Sequence, residues 1–316
     1  MGDPLWTSLS AVVPVYNSES MVPTLIQKLI AALTPLASRF EIVLVNDCSR
    51  DGSWKAIEAI AAQDPRVRGI DLMRNYGQHN ALLAGIRAAE GEVIVTLDDD
   101  LQNPPEEIPK LLARLREGAD VVYGYPEKES HGLLRTLASK MTKIAVQEGT
   151  GKEVARKIST FRAFRTALRQ SFSDYRSPFL SIDVLLSWST NRFAVIPVRH
   201  DPRAEGRSQY SLRKLMLHAL NMMTGFTTWP LRVASLLGFA LTLFGIGLLG
   251  FVLIRYFVQG GSVPGFPFLA ASMSVFSGAQ LFALGMMGEY LSRIHFRLME
   301  RPTYAVRSRT FQGPPS

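Results

Sequence analysis

The chain has 316 residues, a formal net charge of +8 and a single cysteine, Cys48. That length suits one large domain plus an appendage, and one cysteine excludes an internal disulfide and fits a reducing compartment. Basic residues crowd the borders of the apolar C-terminal third and no nucleic-acid motif accompanies them. Anionic lipid and phosphorylated ligands are therefore the expected partners, and nucleic acid is not.

Residues 1–10 lack a basic start followed by an apolar run, so no signal peptide is expected. Ser10–Tyr16 reads as a short strand, and Leu25, Leu29, Ile30 and Leu33 place a helix within Met21–Ala37. A second strand is predicted over Glu41–Asn46, a second helix over Trp54–Ala62 and a third strand over Val67–Met73. A helix from about Gly77 to Ala89 and the strand Val93–Leu97 follow. Such alternation predicts βαβ units, a parallel sheet and right-handed crossovers. Val121–Gly124 and Phe193–Val198 read as further strands, separated by a polar, basic loop over 126–157 with a helix around Leu133–Val146.

The most informative stretch is the end of the fourth strand. Val93–Leu97 is apolar and β-branched, as a buried parallel strand should be, and it stops at Asp98, Asp99 and Asp100, with Gln102 two places on. Adjacent carboxylates repel one another. They are best tolerated where a hard divalent cation binds, and oxygen donors suit Mg²⁺ or Mn²⁺. The carboxyl end of a strand is also where open α/β sheets bind ligands. The competing explanation is a solvated acidic turn.

From Leu212 the chain changes character. Leu212, Leu215, Met216, Ala219, Leu220, Met222, Met223 and Phe226 share one broad apolar face, which suits an interfacial helix. Val233–Ile254 and Phe266–Gly288 are uncharged and long enough to cross a bilayer, with a Gly- and Pro-containing turn over 260–265. Two spans predict a hairpin; two buried core helices are the alternative. Arg203, Arg207, Arg213, Lys214 and Arg232 precede the first span, and Arg293, Arg297, Arg301, Arg307 and Arg309 follow the second. The positive-inside rule puts both ends in the cytosol.

Four strand-end motifs carry a family resemblance: Val12–Asn17 with Glu19, Val45–Ser53 containing Asp47, Arg74–Gly77, and the acidic cluster. Together they resemble the family-2 glycosyltransferases. The hairpin, the Arg203–Ser211 motif, Phe161–Arg165, Thr227–Arg232 and Gly288–Arg293 are similar to the polyprenyl-phosphate branch of that family. The similarity runs over roughly residues 8–307. It implies a GT-A (Rossmann-like), mostly parallel sheet with helices on both faces, followed by interfacial helices and a two-helix transmembrane hairpin. The implied boundaries are 1–207 for the cytosolic catalytic domain, 208–232 for the juxtamembrane helices, 233–291 for the spans and 292–316 for a cytosolic tail.

The resemblance also implies an activity. One sugar would pass, with inversion, from a nucleotide-diphosphate donor (UDP favoured) to an undecaprenyl-type phosphate at the cytosolic face of the inner membrane. The product would be a lipid-linked sugar for envelope glycan modification. The matching donor-site positions are Pro14, Tyr16, Glu19, Asp47, Arg74, Asp98 and Asp99. Asp98, Asp100 and Gln102 would hold Mg²⁺ or Mn²⁺, and Asp100 and Arg162 would be catalytic. Arg135, Arg162, Arg203 and Ser208 would meet the lipid phosphate and departing diphosphate, where arginine forks suit two mutually repelling groups. Tyr16 serves equally as core packing, Arg74 equally as an ion-pair partner, and each arginine as a surface charge. Cys48 and Asp51 read as turn residues, His79 and His131 as loop residues. A homo-oligomer, a tetramer by resemblance, is implied.

Two positions depart from the family pattern. Ser159-Thr160 stands where one branch has an acidic residue, and Gln209 follows Ser208 where a lysine is usual. The rival readings are a processive polysaccharide synthase, whose Gln-x-x-Arg-Trp motif is absent, and a non-catalytic nucleotide-sugar-binding subunit on a membrane anchor.

Overall fold

The computed structural model describes residues 6–127, 154–155, 157–176, 180–201, 229–259, 265–299 and 302–312. The chain divides into two compact units, Met1–Met216 with Glu300–Ser316, and Leu217–Met299.

The first unit is built on a sheet of eight strands. In chain order they are β1 (Trp6–Val15), β2 (Ala37–Asn46), β3 (Val67–Leu72), β4 (Val93–Thr96), β5 (Val121–Pro126), β6 (Arg162–Arg165), β7 (Phe193–Val198) and β8 (Val306–Arg309). Their spatial order is β7-β5-β6-β4-β1-β2-β3-β8. β4, β1, β2 and β3 are mutually parallel, as are β5 and β7, whereas β6 and β8 run against their neighbours.

The central strands are apolar on both sides because both faces are covered. Ala11, Val13, Val15, Ile42, Leu44, Val93 and Val95 join one core with helices α1 (Val22–Leu33), α2 (Ser53–Ala61) and α4 (Ile108–Arg116). The alternate residues Val12, Val43, Val45 and Ile94 join the other, with α3 (Gln78–Ala88) and α5 (Ile182–Ser189). Alternation of side chains along a strand sends consecutive residues to opposite cores, so a doubly covered strand reads as a continuous apolar run.

Three elements depart from the sequence expectation. α4 lies where no helix is predicted. β6 sits between β4 and β5. The expected tail over 292–316 contributes β8, which pairs antiparallel with β3. β8 is fastened by Thr310, whose hydroxyl accepts the Gly69 amide at 2.8 Å, and by Arg307 to the buried Asp71 at 3.3 Å. Its sequence, Val-Arg-Ser-Arg, lacks the apolar alternation of a strand; the edge of β3 supplies the template.

The second unit holds α6 (Trp229–Gln259) and α7 (Phe266–Leu298), which pack on each other with the Phe276 ring against Gly245. Among the described residues, one helix, Leu231–Val258, is long and apolar enough by composition to cross a membrane, at a mean hydropathy of 2.4. α7 is uncharged from Phe266 to Gly288 and carries Glu289, Arg293 and Arg297 beyond that; no second such helix is found among the described residues. The second span of the expected hairpin is not established. The expected interfacial helix over 212–226 lies outside the described residues.

Candidate active site

Strand order reverses at β1, with β2 on one side and β4 on the other. The carboxyl ends of β1 and β4 therefore flank the crevice where open α/β sheets bind ligands. The chain leaving β1, β2 and β4 turns in each case through a non-glycine residue in left-handed backbone: Asn17 (φ 54°), Cys48 (φ 56°) and Leu101 (φ 57°). Asparagine adopts this region readily, but for leucine it costs about 1–2 kcal/mol. Leu101 stands between Asp100 and Gln102, so the strain lies inside the acidic motif.

The three strand-end loops are laced by polar contacts. Asp99 Oδ2 accepts the Tyr16 amide at 3.1 Å and the Ser18 hydroxyl at 2.5 Å, bridging the β4 and β1 loops across the crevice. Glu19 Oε2 accepts the Gly52 amide at 2.8 Å, and Asp51 Oδ2 accepts the Glu19 amide at 3.1 Å. A side chain at position 52 would place its Cβ 2.3 Å from Glu19 Oε1 and displace that carboxylate. Asp47, at the end of β2, accepts the Tyr76 and Gly77 amides at 2.7 and 2.8 Å, one on each oxygen. It thus fastens the turn that opens α3, where Gly77 has φ 89°.

The expected donor-site residues take up these positions. Glu19 and Asp47, expected to meet the nucleotide, both accept backbone amides at the crevice. Arg74 is exposed, its guanidinium 4.6 Å from the Tyr76 ring centroid. Tyr16 is exposed, which excludes core packing, and Pro14 is buried within β1.

Asp98 is held from two sides by neutral donors. The Gln78 side-chain amide donates to Oδ1 and the Thr160 hydroxyl to Oδ2, both at 2.6 Å. Burial pushes Asp98 up to about 6; the Thr160 hydroxyl opposes that shift, Asp100 and Asp99 add to it, and Arg162 opposes it. Asp99 is likewise raised by burial, against the bonds from Ser18 and Tyr16. Asp100 Oδ1 accepts the Gln102 amide at 3.2 Å, and the Gln102 carbonyl accepts the Asp201 amide at 2.9 Å.

Arg162, expected to meet phosphate, has its partners in the core. It is fully buried, its Nη1 ion-paired to Asp183 and its Nε donating to Thr96 Oγ1 at 2.9 Å. Asp183 also accepts the Tyr123 hydroxyl at 3.0 Å. Burial, and then the Asp183 charge, raise that phenol well above its usual range. β6 lies inside the sheet and turns the Arg162 guanidinium into the core. Arg135, Arg203, Ser208 and His131 lie outside the described residues. His79 is on α3.

Among the described residues, no three His, Cys, Asp or Glu side chains gather in metal-binding geometry. The donor chemistry nevertheless fits Mg²⁺ or Mn²⁺, because such ions take one or two carboxylates and complete their shell with water and substrate phosphates. Asp98 and Asp100 are the expected carboxylates.

A family model described as glycosyl transferase family 2 matches residues 10–175. The chain belongs to glycosyl transferase family 2. It is 38% identical over 304 residues to a protein of Shewanella sediminis (strain HAW-EB3) named undecaprenyl-phosphate 4-deoxy-4-formamido-L-arabinose transferase, covering 95% of this chain and 91% of that one. A Klebsiella pneumoniae protein of the same name is 37% identical over 302 residues, covering 95% and 92%. Glucosyl-3-phosphoglycerate synthase from Mycobacterium tuberculosis, solved with Mn²⁺, UDP and phosphoglyceric acid, superposes with a TM-score of 0.50 at 18% identity, covering 69% of this chain and 78% of that one. The architecture is accordingly of the GT-A type.

Sequence reasoning passes over Gln78, Ser18 and Asp183 as site residues. Thr160 is visible only as a departure from the family pattern. Nothing local marks these four, since the contacts join positions far apart in the chain: 20 residues for Gln78 and 62 for Thr160 to the same carboxylate.

Proposed function

We propose that this chain transfers a single sugar from a nucleoside-diphosphate donor to a polyprenyl phosphate of the undecaprenyl type, with inversion, yielding a lipid-linked sugar. The observation that carries this reading is the acidic triplet at the carboxyl end of β4, held in the crevice against the β1 loop through Asp99. The near-full-length similarity to undecaprenyl-phosphate sugar transferases supports the acceptor. Mg²⁺ or Mn²⁺, when bound, neutralises the negative charge that collects on the departing diphosphate.

The chain's own residues divide the remaining work. Asp100 offers a direct oxygen ligand, and Asp98 is kept beside it in one orientation. The Asp99, Glu19 and Asp47 contacts with backbone amides fix the crevice in which the nucleotide lies. A lipid monophosphate is largely dianionic at neutral pH, with a second pKa near about 6, so it needs no proton removed before attack on the anomeric carbon. The site must instead hold two phosphates together, and we assign Arg203, with Arg135 and Ser208, to that task. α6, with α7, anchors the chain in the membrane that carries its acceptor, both ends cytosolic by the basic flanks.

The deciding test is a donor screen with purified protein, Mn²⁺ or Mg²⁺ and polyprenyl phosphate, UDP-sugars first. Lipid-linked sugar is expected with the phosphate and not with the corresponding polyprenol. Equal turnover of the unphosphorylated alcohol would refute the phosphate nucleophile.

A further inference from the structure

We propose that Thr160 and Gln78, with Arg162 behind Thr160, are positioning residues that lock Asp98 in the orientation the donor site requires. The inference rests on the transferase reading above and names residues that reading does not use. Asp98 has two carboxylate oxygens, and each receives one short hydrogen bond from a neutral side chain. The two donors come from different elements: Gln78 is the first residue of α3, and Thr160 lies two residues before β6.

The Thr160 anchor continues into the core. Its carbonyl accepts the Thr96 hydroxyl at 2.7 Å, Thr96 Oγ1 accepts Arg162 Nε at 2.9 Å, and Arg162 pairs with Asp183. Thr96 and Arg162 face each other in the β4–β6 register. A chain of polar contacts thus runs from a buried ion pair to the carboxylate at the mouth of the crevice. Core stability does not account for this pair, since a buried ion pair is often matched or bettered by apolar residues of similar volume. Its cost shows in Arg162 Nη2, which is buried with no hydrogen-bond partner among the described residues. Positioning accounts for it: the planar guanidinium fork fixes Thr96, and through it the Thr160 carbonyl.

The test compares wild type with Thr160→Val, Thr160→Ser and Gln78→Leu in the full-length protein in detergent. Mn²⁺ affinity is read in the presence of UDP from the electron paramagnetic resonance signal of free Mn²⁺. Thermal melting and the split between kcat and KM for the donor are measured alongside. Loss of one hydrogen bond to a carboxylate predicts about ten- to hundredfold weaker Mn²⁺ binding in Thr160→Val, with an unchanged melting temperature. Thr160→Ser should restore binding to near wild type, because it keeps the hydroxyl. If Thr160→Val does not fold, Gln78→Leu at the opposite oxygen carries the same expectation. Wild-type Mn²⁺ affinity in a folded Thr160→Val or Gln78→Leu protein would overturn the positioning role while leaving the transferase reading intact. Absence of Mn²⁺·UDP binding and of turnover in wild type itself would overturn the transferase reading, and the inference with it.

Discussion

The two units of this chain treat apolar residues in opposite ways. In the α/β unit, Val12, Val43, Leu44 and Phe164 are buried on one face of the sheet or the other. In α6 and α7, Leu236, Phe239, Phe244, Ile246, Leu281 and Phe282 stand more than half exposed. The first unit supplies its own apolar phase; the second is long, greasy and unsatisfied by its own packing. Exposed apolar surface on this scale calls for an external partner, and a bilayer matches the length and composition of α6. Chemistry follows the same division: the carboxylates of the candidate site belong to the unit that buries its own core.

The largest effect should come from the chemical side of that contrast. Asp100→Ala is expected to lower turnover by about a thousandfold or more, the loss of several kcal/mol of charge stabilisation, while the protein keeps its melting temperature. Excess chelator should reproduce the loss in wild type. A mutant that turns over normally would show that the acidic triplet is only a solvated turn.

Next in size is a matched pair of truncations. Phe164 lies in the core beside Ile94 and Val121, whereas Phe244 is 64% exposed. Phe164→Ala should cost about 3–5 kcal/mol in denaturant or thermal unfolding. Phe244→Ala should stay within about 0.5 kcal/mol in detergent. Phe244→Arg should oppose membrane insertion by about 2.5–3.5 kcal/mol if the residue sits at mid-bilayer, read as release from the membrane fraction at alkaline pH. Retention of Phe244→Arg together with a large loss in Phe244→Ala would mean that α6 is a packed core helix.

The contrast also explains what was legible beforehand. β1 to β4 are readable because burial on both faces forces unbroken runs such as Val93–Val95, and their order places the strand-end motifs in one crevice. β6 and β8, reading Arg-Ala-Phe-Arg and Val-Arg-Ser-Arg, are not, because their arginines have partners set by tertiary structure: Asp183 for Arg162 and Asp71 for Arg307. Asp98, Asp99 and Asp100 announce a site through charge density alone. Which of them faces a ligand and which fastens a loop depends on Gln78, Thr160, Ser18 and the Tyr16 amide, and no local pattern in the chain encodes those pairings.

The smallest effects come from two helical glycines, and they differ in sign. Gly85 in α3 faces the sheet, and an added Cβ would lie 2.4 Å from Val12 Cγ1 and 3.0 Å from Val45 Cγ2. Alanine is the better helix former by about 1 kcal/mol, but overpacking a filled core costs about 1–3 kcal/mol. Gly85→Ala should therefore be neutral to destabilising by about 2 kcal/mol. At Gly247 in α6 an added Cβ meets nothing within 4 Å among the described residues, so the propensity term stands alone. Gly247→Ala should raise the melting temperature slightly, by no more than about 1 kcal/mol of stability. Both variants can be melted in one detergent against wild type. Loss of stability at Gly247 as large as that at Gly85 would mean that this face of α6 is covered by protein, and the division between a self-packed unit and one that needs an outside partner would fall.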